Sequence, residues 1–236
     1  MKPLEKMSPS YHPGPPNYTL QPKKNPLDQT TALSIINIPP STTVRDLIRS
    51  IMSVGPTGRI LFARLYETPS SSSPTPAKTA KVAFATRAEA QRLFVIAHQG
   101  LFQVQGATVR AFWSSELWTS LECAGPISRV LIIQGPREVV NQNRLRQYFQ
   151  NRLRRCDTEH FVFTELNNEP EREGGGGNGG ASGHVQAIWR FGSWFDQAEM
   201  AVECLKRDFP LLVTVRYGYD PCCCSPGPAA RVLWNS

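Results

Sequence analysis

Two stretches of this 236-residue chain carry the same order of apolar signals, and that repetition restricts the fold more than any single motif does. In the first stretch, Leu33-Ser34-Ile35-Ile36-Asn37-Ile38 is a short β-rich run stopped by Pro39-Pro40. Ser41, Thr42 and Thr43 offer helix N-caps, and Val44, Leu47, Ile48 and Ile51 follow at the i, i+3, i+4, i+7 spacing of an amphipathic helix. Gly55-Pro56 and Gly58 end that helix. Ile60–Tyr66 reads as a second strand and Ala80–Phe84 as a third. Ala90, Leu93, Phe94 and Ala97 mark a second helix, and Thr108–Trp113 a fourth strand.

The second stretch repeats the scheme. Val130–Ile133 is a strand ended by Gly135-Pro136, and Asn141 can cap a helix carrying Leu145, Phe149 and Leu153. Phe161–Phe163 is a strand, and Val185, Ala187, Trp189 and Phe191 alternate as another. Ala198, Ala201, Val202 and Leu205 mark a helix, and Leu212–Tyr217 closes the sheet. Loops fall at matching places: PSSSSPTP at 69–76 and a stretch over 168–183 that is Gly-rich from 173. The expected fold is α+β, with two ferredoxin-like βαββαβ domains at 31–116 and 127–221, each a four-stranded antiparallel sheet backed by two helices. A disordered Pro-rich arm (1–28), a linker (117–126) and a flexible Cys/Pro tail (222–236) complete the expected organisation.

Composition narrows the function classes. Hydrophobic residues at 40% support a folded core, and charged residues are only 19%. No run approaches the roughly 18 uncharged apolar residues of a membrane span, and the first residues lack the apolar stretch of a secretory signal. The expectation is an intracellular protein of nucleus or cytoplasm, with no membrane partner. Six cysteines occur without a CxxC pair, among scattered histidines, so zinc spacing is absent and no cofactor or metal is expected. Acylation of the Cys222-Cys223-Cys224 run is the less favoured reading of that segment.

The strand motifs resemble those of the RNA recognition motif (RRM) family, over about 180 residues. That family's first-strand hexamer is apolar, aromatic, apolar, any, Asn, apolar. Here Leu33–Ile38 fits at Asn37 and at the buried positions, with Ser34 where the family stacks an aromatic. The third-strand octamer is matched by Ala77–Phe84 at Ala80, Val82 and Phe84, with Thr79 and Lys81 in the two stacking positions. In the second stretch Leu131, Gln186 and Ile188 replace the three stacking aromatics. The whole chain is also similar to tandem-RRM proteins of filamentous fungi. The resemblance implies RRM-like domains with a sheet face open to single-stranded RNA.

Strand alternation predicts what that face carries in the first stretch: Ser34, Ile36, Phe62, Arg64, Tyr66, Thr79, Lys81, Arg110 and Phe112. Cations neutralise phosphates and aromatics stack bases, so the RNA candidates are Ser34, Asn37, Phe62, Arg64, Tyr66, Lys81, Arg110 and Phe112. Weak sequence selectivity is expected, since few of these side chains read base edges. The formal charge is +7, and residues 31–116 hold nine basic and four acidic residues, whereas 117–221 hold twelve and thirteen. A solvated, mildly basic face is the competing reading.

The second sheet is expected to show Leu131, Ile133, Ile188, Thr214 and Arg216. An aliphatic face needs a cover, so Leu131, Ile133 and Ile188 are candidates for contact with the first domain, with the linker (Leu117, Trp118, Leu121) or with a protein partner. Arg144, Arg146, Arg152, Arg154 and Arg155 crowd one helix, as a solvated face or as phosphate contacts.

Enzyme readings are weak. Gly174–Gly179 formally satisfies GxGxxG but precedes a strand rather than a helix. Cys156 and His160 lack a third orienting group. No catalytic residue and no small-molecule substrate are expected. Two classes remain: an RNA-binding protein acting mainly through the first domain, and a protein-interaction module of RRM-type folds that do not bind RNA.

Overall fold

The structure is a computed structural model and describes residues 29–68, 77–121, 127–166 and 183–223. The Pro-rich arm, the Ser/Pro loop, nearly all of the Gly-rich loop, Cys224 and the rest of the tail lie outside the described residues.

β1 (Ala32–Ile38) enters the molecule as an Ile-rich central strand. It kinks at Asn37, whose φ of 64° coincides with a register shift between Ile35 and Ile38. Asn tolerates this left-handed geometry better than most residues, which gives it a backbone reason for standing there. α1 (Val44–Ser53) starts at a reciprocal cap: Asp46 N–H donates to Thr43 Oγ1 at 3.2 Å, and Thr43 N–H donates to Asp46 Oδ2 at 2.9 Å. Val44, Leu47, Ile48 and Ile51 are its buried face, as their spacing predicts. β2 (Ile60–Thr68) and β3 (Ala77–Phe84) pair antiparallel, and α2 (Arg87–His98) begins at a second reciprocal cap, Thr86 with Glu89.

The expected fourth strand divides. A hairpin of β4 (Gln103–Val104) and β5 (Ala107–Thr108) precedes β6 (Arg110–Trp113). Its turn places Gln105 at φ 50° and Gly106 at φ 80°, the paired positive values of a tight hairpin. Gln105 is held there by Ser41, which donates to Gln105 Oε1 at 2.8 Å, and by its own amide donating to Asp46 at 3.3 Å.

The second half follows with β7 (Val130–Pro136), α3 (Gln142–Arg152), β8 (Thr158–Glu165), β9 (His184–Phe191), α4 (Glu199–Asp208) and β10 (Thr214–Tyr217). Asn141 caps α3 by accepting from Arg144 N–H at 3.0 Å. A π-helical turn at Trp194–Ala198, which the spacing does not predict, leads into α4. The buried Gln197 fixes it by accepting from Asp157 N–H at 2.9 Å and donating to Asp157 Oδ2 at 3.1 Å. Strand orders are β2-β3-β1-β6 and β10-β7-β9-β8, so the same positions of the two halves are central and the same are outermost. All neighbours are antiparallel.

Each half has its own core. The first gathers Ile35, Leu47, Ile48, Phe84 and Leu93; the second packs Phe149 and Phe161 against Trp189, with centroids 5.2 and 5.5 Å away. Leu131 and Ile133 are fully buried in this second core. That corrects the expectation that they face outward: Leu131 pairs with Trp189 and Ile133 with Ala187, both on the helix side. The opposite side carries Val130, Ile132 and Ile188, which cluster with Val162. Gly218 crosses this patch so closely that a Cβ there would stand 2.9 Å from Val130 Cγ1.

The halves also interlock. Leu61 and Ala85 of the first half belong to the second core, and Cys222 is fully buried in the first. Cys222 therefore departs from the flexible-tail expectation. Its carbonyl accepts from Gly58 N–H at 2.7 Å, and its thiol accepts from the Arg129 guanidinium at 3.6 Å. Burial together with Asp220 pushes that thiol well above its ordinary range.

The α1 cap supplies a first prediction. Thr43→Ala is expected to cost about 1 kcal/mol in urea unfolding at about pH 7. The Thr43 hydroxyl and then its backbone N–H hold the Asp46 carboxyl below its ordinary pKa. That contribution is present above the unfolded carboxylate pKa and is lost as pH falls through the folded value. The difference between wild type and variant is therefore expected to narrow as pH falls below the ordinary carboxylate range.

Candidate functional site

Register on the first sheet brings most of the expected residues to one face. Ser34 lies opposite Lys81 on β3 and opposite Phe112 on β6, while Ile36 lies opposite Arg110. On the other side of β3, Phe62, Arg64 and Tyr66 lie opposite Ala83, Lys81 and Thr79. The two-residue period puts all of these away from the helices, because Leu33, Ile35, Ala80 and Val82 fill the core side. Asn37 is exposed at the strand's kink, at the margin of this face.

The face is divided by the chain's own segment after β6. Trp118 lies over Phe62, with ring centroids 4.9 Å apart at 31°, and packs with Ala32 and Ala83. Phe62 is only 9% exposed in consequence. Backbone bonds hold this segment down: Thr31 N–H donates to the Trp118 carbonyl at 2.7 Å and Leu121 N–H to the Ala85 carbonyl at 2.9 Å. Glu116 forms an ion pair with Lys81, whose side chain is 16% exposed. Trp118, one of the candidate covers for the second sheet, thus covers the first.

The rest of the face is open. Tyr66 is 39% exposed and Phe112 is 47% exposed; Arg64 and Arg110 are exposed too, and Ser34 is half-buried. The Arg64 guanidinium carbon sits 5.4 Å from the Tyr66 ring centroid, and Lys81 Nζ sits 5.8 Å from it. Cations that close over a ring face are attracted to it and orient it. What remains is a strip with an aromatic at each outer strand, two exposed arginines, and one lysine shared with a glutamate.

The second sheet offers less. Ile188 is on the side away from the helices but only 7% exposed, and Thr214 and Arg216 are exposed on the outermost β10. Of the arginines in and just after α3, Arg152 pairs with Asp208 at 3.1 Å, Arg155 pairs with Asp157 at 2.5 Å, and Arg146 lies 5.7 Å over Phe161. Cys156 has its thiol pKa raised by burial and lies 3.9 Å from Thr158 Oγ1. Among the described residues, no group of three or more His, Cys, Asp or Glu is placed to hold a metal ion. No described helix is long and apolar enough to cross a membrane.

A polar cluster that no motif announces lies where the halves meet. The fully buried Arg129 donates to the Phe191 carbonyl at 3.0 Å, pairs with Asp220 at 3.1 Å and with Glu159 at 3.5 Å, and points its other nitrogen at Cys222 Sγ, 3.6 Å away. Met52 of α1 lies 3.8 Å from the same nitrogen, and Arg49 of α1 reaches Glu159 at 3.9 Å. Burial alone would lower the guanidinium pKa, but the surrounding acids outweigh it, so the charge is secure.

No family model matches the chain, and no curated protein matches it. The likeness to fungal proteins thus finds no support. Among solved structures, RNA recognition domains 1 and 2 of Sex-lethal from Drosophila melanogaster align at 15% identity over 80% of this chain and 100% of that one, with a TM-score of 0.27. The C-terminal RNA recognition motif of the hypothetical RNA-binding protein RBM19 aligns at 20% identity over 52% of this chain and 99% of that one, with a TM-score of 0.29. The NONO-1 homodimer from C. elegans aligns at 14% identity over 86% of this chain and 71% of that one, with a TM-score of 0.25. Likenesses at such scores carry no inference about this chain.

Proposed function

We propose that the chain is a tandem of RRM-like, ferredoxin-type domains, 31–116 and 127–221, and that the first binds single-stranded RNA on the open strip of its sheet. The strip itself carries this reading: exposed Tyr66 and Phe112 at its two sides, with Arg64 and Arg110 beside them. Rings stack any base and guanidinium groups meet phosphates, so affinity without strong sequence selectivity follows. Ser34 and Asn37 are the polar groups within reach of a strand lying there, and Lys81 contributes when Glu116 releases it. No catalytic step or cofactor enters this reading.

The test is fluorescence anisotropy of a labelled single-stranded RNA, titrated at two salt concentrations. Wild type is expected to bind at low salt and to weaken as salt rises. Arg64→Ala with Arg110→Ala is expected to weaken binding and to flatten the log–log salt slope by about 1.4, since each phosphate contact on a single strand contributes roughly 0.7. Absence of wild-type binding at low salt rejects the proposal.

One observation favours the rival class. Trp118 and Glu116 already occupy Phe62 and Lys81, as in a sheet adapted to hold polypeptide instead of RNA. On that reading the uncovered strip docks a protein, and the same titration gives no binding.

A further inference from the structure

We infer that a recess on the outer side of β6 takes one nucleobase of the bound strand, stacked on His98. This rests on the RNA reading above and extends it beyond the sheet face.

The recess, about 340 Å3, lies between the end of α2 and β6, bordered by Ala97, His98, Thr108, Val109, Arg110 and Phe112. Its volume is at the lower end of the roughly 300–1,000 Å3 of small-ligand sites, a size suited to one nucleotide. Ala97 and Val109 give it an apolar floor, and the exposed Arg110 stands at its rim for a phosphate.

His98 is presented as the end of a column. The Arg87 guanidinium carbon lies 3.9 Å from the Trp113 ring centroid; Trp113 stacks on Phe94 at 5.0 Å and 22°; Phe94 meets His98 at 4.2 Å and 31°. One side of the imidazole is therefore packed, and its rotamer is restrained, while the residue remains exposed and borders the recess. A base placed against it continues a stack that already exists, so little side-chain entropy is lost on binding.

The path is continuous. In the strand order β2-β3-β1-β6, Tyr66 and Phe112 stand on opposite outer strands, about 14 Å apart by the usual strand spacing. RNA that crosses from Tyr66 to Phe112 reaches the β6 side with its next base over the recess. The two contacts share Arg110 and Phe112.

Two measurements on the full chain decide this. In the first, ring C–H signals of the four histidines (His12, His98, His160, His184) are followed by NMR while an oligouridylate is added. The His98 signals are expected to shift, and those of His160 and His184 to stay. In the second, anisotropy at low salt compares wild type with His98→Ala and His98→Phe. His98→Ala is expected to weaken binding about five- to tenfold, within the range for one stacked base, and His98→Phe to retain it. Wild-type binding with an unmoved His98 ring and an unaffected His98→Ala overturns the recess and leaves the sheet-face proposal standing. Wild-type protein that binds no RNA overturns both. A loss of stability in His98→Ala cannot imitate the ring-signal result, because those signals are read on the unmutated chain.

Discussion

Arg129→Ala is expected to lower the unfolding free energy by about 3–5 kcal/mol, the usual cost of removing one partner from a buried ion pair. The Arg129 side chain has no solvent exposure, and Asp220 and Glu159 beside it are 1% and 3% exposed in their side chains. Removing the guanidinium strands the Asp220 carboxylate away from water, leaves Glu159 with only the longer contacts to Arg49 and Arg190, and leaves the Phe191 carbonyl without that donor. It also deletes the group that joins α1, through Met52, to the start of β7 and to the segment around Cys222. The check is the urea midpoint, with the m-value watched for loss of a single transition. Adding Asp220→Asn to Arg129→Ala is expected to recover part of the loss, since it removes one uncompensated charge. Full additivity of the two changes would instead assign the cost to packing.

The second large effect concerns RNA and runs in the opposite direction. Trp118→Ala with Glu116→Gln is expected to tighten RNA binding about five- to tenfold. The double variant uncovers Phe62 and releases Lys81, which adds one stacking ring and one cation to the strip. The backbone bonds from Thr31 and Leu121 keep the segment in place. The anisotropy titration should also show a salt slope steeper by about 0.7, the contribution of one further phosphate contact. Unchanged affinity, in a protein that binds RNA through Tyr66 and Phe112, would show that the covered half is outside the RNA path. Glu116→Gln alone separates the lysine from the ring.

The helices and the first sheet were legible because their patterns have a single phase. Val44, Leu47, Ile48 and Ile51 fit one helical face only, and Ser34 between Leu33 and Ile35 marks which side of β1 is wet. The second sheet had no such mark. Val130-Leu131-Ile132-Ile133 is apolar on both sides, so alternation gives no phase, and a one-residue slip exchanges the two faces. Pairing of Leu131 with the large, core-filling Trp189 sets the phase, and that contact spans 58 positions that no local pattern joins. Trp118 reads as an apolar linker residue, but which sheet it covers depends on where the segment after β6 turns. Arg129 gave no signal at all: an arginine ahead of an apolar strand ordinarily looks solvent-facing, and its acids arrive from Glu159 and Asp220, far along the chain. Asn37 was legible as a family position, and its φ of 64° gives it a conformational reason for being Asn.

Cys222 in the first core has a consequence for biosynthesis. The interior of the first half is completed by a side chain made only after the whole second half, while Leu61 and Ala85 wait for the opposite partner to form around them. Neither half can finish on the ribosome independently of the other. Folding of the first half should therefore wait until residue 222 has emerged and be slow for its size, as long-separation contacts dictate, and a nascent chain stalled before residue 222 should remain open to proteolysis at its amino-terminal half.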